Sequence, residues 1–228
     1  MNVIESLRGE MVVSCQAEGD DPFNTPEYVA LFAKAAMMGG AKAIRSEGVE
    51  KIKAIKALVD LPIIGLVKSK FPDGYVRITG SMEEIEQLAN IGCDIIAVDG
   101  TFREREGLSG PEFIRKIKNL YPKLVILADI ATIDEAIACE EANADCVSTT
   151  LSGYTPNTCT DSTTADFVLI EQAAARLSVP LFAEGRINTP DDAAKAISLG
   201  AYAVITGSAI TRPRVITQWF VNTIKNIK

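Results

Sequence analysis

Along this chain, short runs of apolar residues alternate with longer segments in which apolar positions recur every three to four residues. Eight runs, at 11–16, 41–45, 62–68, 94–99, 123–129, 146–151, 180–184 and 201–207, are nearly continuous in apolar and β-branched types. A strand with one wet face alternates; continuous runs are what parallel strands buried on both faces require. The segments between them carry helix punctuation. Thr25-Pro26-Glu27 and Thr189-Pro190-Asp191-Asp192 each supply an N-cap, a first-turn proline and early acid. Ser81 with Glu84, and Thr132 with Glu135, have the spacing of a capping box. Val49, Ile52, Ile55 and Val59 form one apolar helical stripe. Gly40, Gly92, Asn143 and Gly200 each stop a helix just before a strand, where a left-handed cap fits. The stops recur every 50 to 60 residues or so, about two strand–helix units apart. The pattern predicts an α/β chain folded as a single (β/α)8 TIM barrel over 1–228. A doubly wound sheet is the rival, but eight units without a composition break fit closure better.

Composition then narrows the chemistry. Of the 228 residues 47% are hydrophobic, enough for one substantial core. With 23 basic and 30 acidic residues the net charge is −7, which repels phosphate backbones at long range and argues against nucleic acid as a partner. A small anion can still be held where a few cations and backbone N–H groups converge. The chain contains no histidine. That removes Ser-His-Asp and Cys-His catalysis and the His-bound metal sites, and no metal is expected. Acid–base work falls to Lys, Asp, Glu, Tyr or Cys. Five cysteines without a C-x-x-C pair read as free thiols in a reducing cytoplasm. The opening MNVIESLRGE has no basic-then-apolar pattern, and the longest apolar stretch, 28–33, is far too short for a membrane.

In a TIM barrel the active site lies at the C-terminal ends of the strands. Read there, the chain offers Gln16, Arg45, Lys68, Asp99, Asp129, the segment from Thr149 to Tyr154, Glu184 and Gly207. Lys68 would emerge at the mouth beside Arg45, a placement suited to a general base. A lysine there is otherwise merely solvated, and Glu184 otherwise pairs with Arg186 or another cation. Gly185-Arg186 and Gly207-Ser208, with Arg212 beyond, follow the last two strands, where this fold commonly binds phosphate. Three longer connections, 69–80, 100–109 and 152–164, are candidate lids. The mixed-charge run at 103–106 within the second reads first as solvated surface.

Taken together the motifs resemble one family, the N-acylglucosamine-6-phosphate 2-epimerases. The resemblance spans nearly the whole chain. It is carried by Val13-Ser14-Cys15-Gln16-Ala17, Ala43-Ile44-Arg45, Pro62-Ile63-Ile64-Gly65-Leu66-Val67-Lys68, Cys146-Val147-Ser148-Thr149-Thr150-Leu151-Ser152-Gly153-Tyr154-Thr155, Glu184-Gly185-Arg186-Ile187-Asn188-Thr189-Pro190 and Ala209-Ile210-Thr211-Arg212-Pro213. It implies a cofactor-independent isomerase, usually a homodimer, that acts on N-acetylmannosamine 6-phosphate in bacterial sialic-acid breakdown. It maps the family's catalytic lysine and glutamate onto Lys68 and Glu184. It places Gln16, Arg45 and Asp129 at sugar-holding positions, to which Thr149 and Tyr154 are added as candidates. Arg212 with the two glycine loops, Gly185-Arg186 and Gly207-Ser208, matches phosphate binding. The chain departs from the family pattern around Glu18-Gly19-Asp20, at Arg77, Gly80 and Gly100, and in a glutamate that ends the 103–106 run.

The chemistry suits these residues. The proton on C2 of the open-chain sugar is adjacent to an aldehyde, so it can be removed once the ring opens. Glu184 is expected to assist ring opening, Lys68 to take the C2 proton and Arg45 to stabilise charge at O1. Three routes can return a proton to the opposite face: one base after rotation of the intermediate, a second residue, or groups of the substrate. The enzymatic rival is a Schiff-base aldolase on a sugar phosphate. The binding rival is a non-catalytic sugar-phosphate sensor. Metal-dependent pentose-phosphate epimerases lack support without histidine. Decarboxylase-type barrels need a lysine two residues after Asp99, where Thr101 stands.

Overall fold

The computed structural model describes residues 2–227. In chain order the strands are β1 (Met11–Ser14), β2 (Ala43–Glu47), β3 (Ile63–Leu66), β4 (Lys68–Lys70), β5 (Val76–Ile78), β6 (Ile95–Asp99), β7 (Ile126–Asp129), β8 (Cys146–Ser148), β9 (Leu181–Glu184) and β10 (Ala203–Thr206). Eight of them close into a parallel barrel in the order β1, β2, β3, β6, β7, β8, β9, β10 and back to β1. These are the eight runs read from the sequence, with ends displaced by up to three residues. The remaining two, β4 and β5, pair antiparallel above the barrel mouth, Lys68 opposite Ile78. The connection 69–80, read as an irregular lid, therefore holds a small hairpin.

The helices are α1 (Pro26–Met38), α2 (Val49–Leu58), α3 (Met82–Asn90), α4 (Gly110–Leu120), α5 (Ile133–Glu141), α6 (Phe167–Arg176), α7 (Pro190–Ser198), α8 (Ser208–Thr211) and α9 (Pro213–Lys225). Their starts follow the predicted caps: Ser81, Thr132 and Thr189 each close a reciprocal box with Glu84, Glu135 and Asp192. Their stops do too, for Gly40, Gly92, Asn143 and Gly200 all have positive φ, between 68° and 99°.

Strand alternation divides the core into two layers. Val13, Ile44, Ile63, Ile96, Ile126 and Leu181 face outward against the helices. Val12, Ile64, Ile95, Leu127, Phe182 and Ile205 fill the barrel interior. Ile4 and Leu7, around a 3-10 turn before β1, pack into the inner layer, and Gly9 donates to the Tyr202 carbonyl ahead of β10, which closes the N-terminal end. With a period of two, the inward set continues upward into polar residues: Ser14 and Gln16 after Val12, Arg45 after Ala43, Asp129 after Leu127, Glu184 after Phe182. The same register that fills the core thus aims the site. Helix α9 is the exception to the packing. None of its residues is buried, and Phe220, Val221 and Ile224 are exposed.

Candidate active site

The mouth of the barrel holds a cavity of about 730 Å³, within the range of small-molecule sites. Lys68 and Glu184 both line it, as do Gln16, Arg45 and Tyr154. Gly185, Arg186, Gly207, Ser208 and Arg212 line the same cavity. Strand ends from across the barrel supply these groups, which is how residues far apart in sequence share one space.

Its floor is a charged network. Arg45 is 1% exposed and grips Asp129 in a two-pronged contact, Nη1 to Oδ1 at 3.0 Å and Nη2 to Oδ2 at 2.6 Å. Burial works against the guanidinium charge, yet Asp129 and Glu184 together hold Arg45 above its ordinary range. Asp129 is fully buried and lies beneath the cavity surface, reaching it through Arg45. Glu184 keeps 12% of its side chain accessible, and its Oε2 lies 3.1 Å from an Arg45 nitrogen. Burial pushes the Glu184 carboxyl up to about 7; the Arg45 charge pulls it back and the Asp129 carboxylate raises it further. A group titrating there can exchange protons near neutral pH. Gln16 is buried, its Nε2 donating to Ser14 Oγ at 2.8 Å while its Oε1 has no hydrogen-bond partner among the described residues. An orphaned acceptor of this kind costs about 1–3 kcal/mol, which a ligand N–H or O–H can offset.

At the rim, Lys68 leaves the barrel at Val67 and points back from β4. Its ammonium pairs with Glu18, whose carboxylate also takes Arg212 Nη2 at 2.6 Å. Partial burial opposes the Glu18 charge, but Lys68 and Arg212 outweigh it and hold this carboxyl below its ordinary value. Glu18 is one of the positions that depart from the family pattern, and nothing in its polar loop marked it as a link between two candidate site cations.

Other placements change the sequence-based picture. Thr149 faces outward from the barrel: its hydroxyl accepts from the Glu184 backbone N–H at 3.0 Å and donates to the Glu184 carbonyl at 2.8 Å, stitching β8 to β9. The inward position belongs to Thr150, in phase with Cys146 and Ser148, and the alternation alone could have found it. Arg186 adopts φ 54° and commits its guanidinium to the 152–164 loop, through the carbonyls of Thr164 at 2.7 Å and Ser152 at 3.0 Å, with the Tyr154 ring centre 5.1 Å away. The run 103–106 is not wholly solvated. Arg105 is 1% exposed and meets the buried Asp99 at 3.0 Å, while Arg103 pairs with the same carboxylate at 2.6 Å and lines the cavity. Trp219 of α9 completes the wall.

A family model described as "NanE: Putative N-acetylmannosamine-6-phosphate epimerase" matches residues 29–226. The chain belongs to this epimerase family. A protein of Caldanaerobacter subterraneus subsp. tengcongensis is 46% identical over 99% of this chain and 95% of its own length. One of Clostridioides difficile is 43% identical over 98% of this chain and 99% of its own. Both carry the name "Putative N-acetylmannosamine-6-phosphate 2-epimerase". A solved structure of the N-acetylmannosamine-6-phosphate 2-epimerase from Clostridium perfringens superposes with a TM-score of 0.92 at 40% identity, covering 98% of this chain and 96% of that one. A thiamine phosphate pyrophosphorylase from Pyrococcus furiosus, at TM-score 0.62 and 17% identity, shares the fold alone. The epimerase family thus accounts for the whole barrel, including the strand ends that build the cavity.

Proposed function

We propose that this chain is a cofactor-independent 2-epimerase, an isomerase that interconverts N-acetylmannosamine 6-phosphate and N-acetylglucosamine 6-phosphate in amino-sugar and sialic-acid breakdown. The observation that carries the reading is the convergence of Lys68 and Glu184 in one cavity over the Arg45 floor, with Gly207, Ser208 and Arg212 in the same lining. The relatives' names supply the substrate, and the cavity supplies groups that match it.

In this reading the phosphate lies against the Gly185 and Gly207 loops and Arg212. It anchors a part of the substrate that does not react, so its binding energy goes into orientation. Gln16 meets the acetamido group or a hydroxyl. Asp129 holds Arg45 rigid rather than touching the sugar. Glu184 gives its proton to the ring oxygen as the bond from that oxygen to the anomeric carbon breaks, and the anomeric hydroxyl passes its own proton to solvent, leaving the open-chain aldehyde. Lys68, whose ammonium pairs with Glu18 in the resting site, takes the C2 proton after passing one proton to solvent, and the electron pair moves onto O1, where the Arg45 charge stabilises it. Return of a proton to the opposite face of C2 completes the inversion. Proton NMR of the purified protein with N-acetylmannosamine 6-phosphate in D2O tests this. The gluco epimer should appear with deuterium at C2; trapping of the substrate by borohydride on a lysine would instead favour the aldolase.

The whole chain, 1–228, acts as one catalytic domain in this proposal, and it works as a homodimer. The support is α9, whose exposed Phe220, Val221 and Ile224 are a poor surface for a free monomer and sit beside the cavity wall that Trp219 completes. Sedimentation should give about twice the 24.5 kDa chain mass, and a monomer at micromolar concentration would refute it. Five unpaired cysteines fit a reducing cytoplasm, and among the described residues no helix is long and apolar enough to cross a membrane.

A further inference from the structure

Thr150 stands where two carboxyl groups meet. Its Oγ1 lies 2.7 Å from Asp129 Oδ1, 2.9 Å from Glu184 Oε2 and 2.8 Å from Ser148 Oγ. A hydroxyl has one proton to give and two lone pairs to accept with. It cannot donate to both carboxyls. Asp129 is the one that must receive it, because the Arg45 fork at 2.6 and 3.0 Å holds that carboxyl ionised, so it can only accept and has no proton of its own to offer Thr150. Ser148 then donates to Thr150, which leaves the contact with Glu184. That contact is a hydrogen bond only when the Glu184 carboxyl carries a proton and donates it.

We propose that Thr150 is a positioning residue of this site: it donates to the Asp129 carboxylate and accepts from a neutral Glu184, and so holds Glu184 ready as an acid. No other group takes this part. Among the described residues Thr150 is the one hydrogen-bonding partner of the Glu184 carboxyl, for the guanidinium bonds of Arg45 run to Asp129 and its approach to Glu184 is one of charge alone. The charged groups that act on Glu184 are Arg45 from β2, Asp129 from β7 and Lys68 from β4, and Lys68 is drawn away by Glu18. Burial pushes Glu184 up to about 7, whereas a hydrogen bond donated to it by Thr150 would pull it down, so the neutral carboxyl goes with Thr150 turning its proton to Asp129 instead. The arrangement also explains why a threonine rather than a larger donor occupies the site. A lysine or arginine there would favour the ionised carboxylate and remove the acid.

The protonation assignment stands on hydrogen-bond counting, whereas its consequence for rate rests on the acid role proposed above for Glu184. Infrared difference spectroscopy separates the two. Wild type against Glu184→Gln, at pH 6 and without substrate, should show the C=O stretch of one protonated carboxyl. Thr150→Val should displace that band and Thr150→Ser should restore it, with Thr150→Ala as a smaller substitute should valine not be accommodated. No such band in the wild type, or a band indifferent to Thr150→Val, overturns the proposal. In turnover, Thr150→Val should lower kcat by up to about a hundredfold with little change in KM, and Thr150→Ser should recover it. An altered band with unaltered turnover would sustain the Thr150 assignment and overturn the acid role of Glu184.

Discussion

Lys68→Ala is expected to lose proton exchange at C2 by about 10²–10⁴-fold, the usual contribution of a positioned general base, while the protein still folds and binds its ligand. Folding should survive because the side chain is 26% exposed and its partner Glu18 is 44% exposed. An ion pair in that setting is worth at most about 1 kcal/mol. Binding should survive because Arg212 and the Gly207 loop are untouched, Arg212 keeping its 2.6 Å contact with Glu18. Exchange followed by NMR in D2O, with calorimetric binding as the control, checks the split. Wild-type exchange in this variant would take the base role from Lys68 and hand it to another cavity group.

The second large effect runs the other way, through stability. Arg45→Met removes one partner of a buried ion pair and leaves the fully buried Asp129 carboxylate uncompensated. Breaking such a pair costs about 3–5 kcal/mol, on the order of 10 °C in Tm for a chain of this size. Activity should vanish as well, since the floor of the cavity loses its positive charge. The double variant Arg45→Met with Asp129→Leu discriminates the two roles: it should regain most of the lost stability, because no charge is then stranded, and none of the activity. Equal melting temperatures for wild type and Arg45→Met would mean that the network contributes nothing to the fold.

Most of the barrel was legible because parallel strands covered on both faces must be apolar throughout, so Pro62-Ile63-Ile64-Gly65-Leu66-Val67 announces itself. The hairpin of β4 and β5 was not, because Lys68-Ser69-Lys70 and Val76-Arg77-Ile78 are each only three residues long, the first wholly polar, with no run for periodicity to act on. The strand-end polar residues were visible as a class, but their depth was not. Asp129 and Glu184 occupy equivalent ends, and only the closed barrel places the first under Arg45 and the second in the cavity wall. The choice between Thr149 and Thr150 was decidable from strand parity. Glu18 was not decidable, since it reaches Lys68 and Arg212 across 50 and 194 residues of sequence from a loop without regular structure.

The chain has a single tryptophan, and it is Trp219, 37% exposed on α9 and lining the mouth. An indole in that position trades water for ligand when the site fills, and the burial of an aromatic face alters the polarity it senses. Excited beyond the absorption of its five tyrosines, the protein therefore emits from one indole at the doorway, and occupancy can be followed in the unlabelled chain with no second indole to dilute the signal.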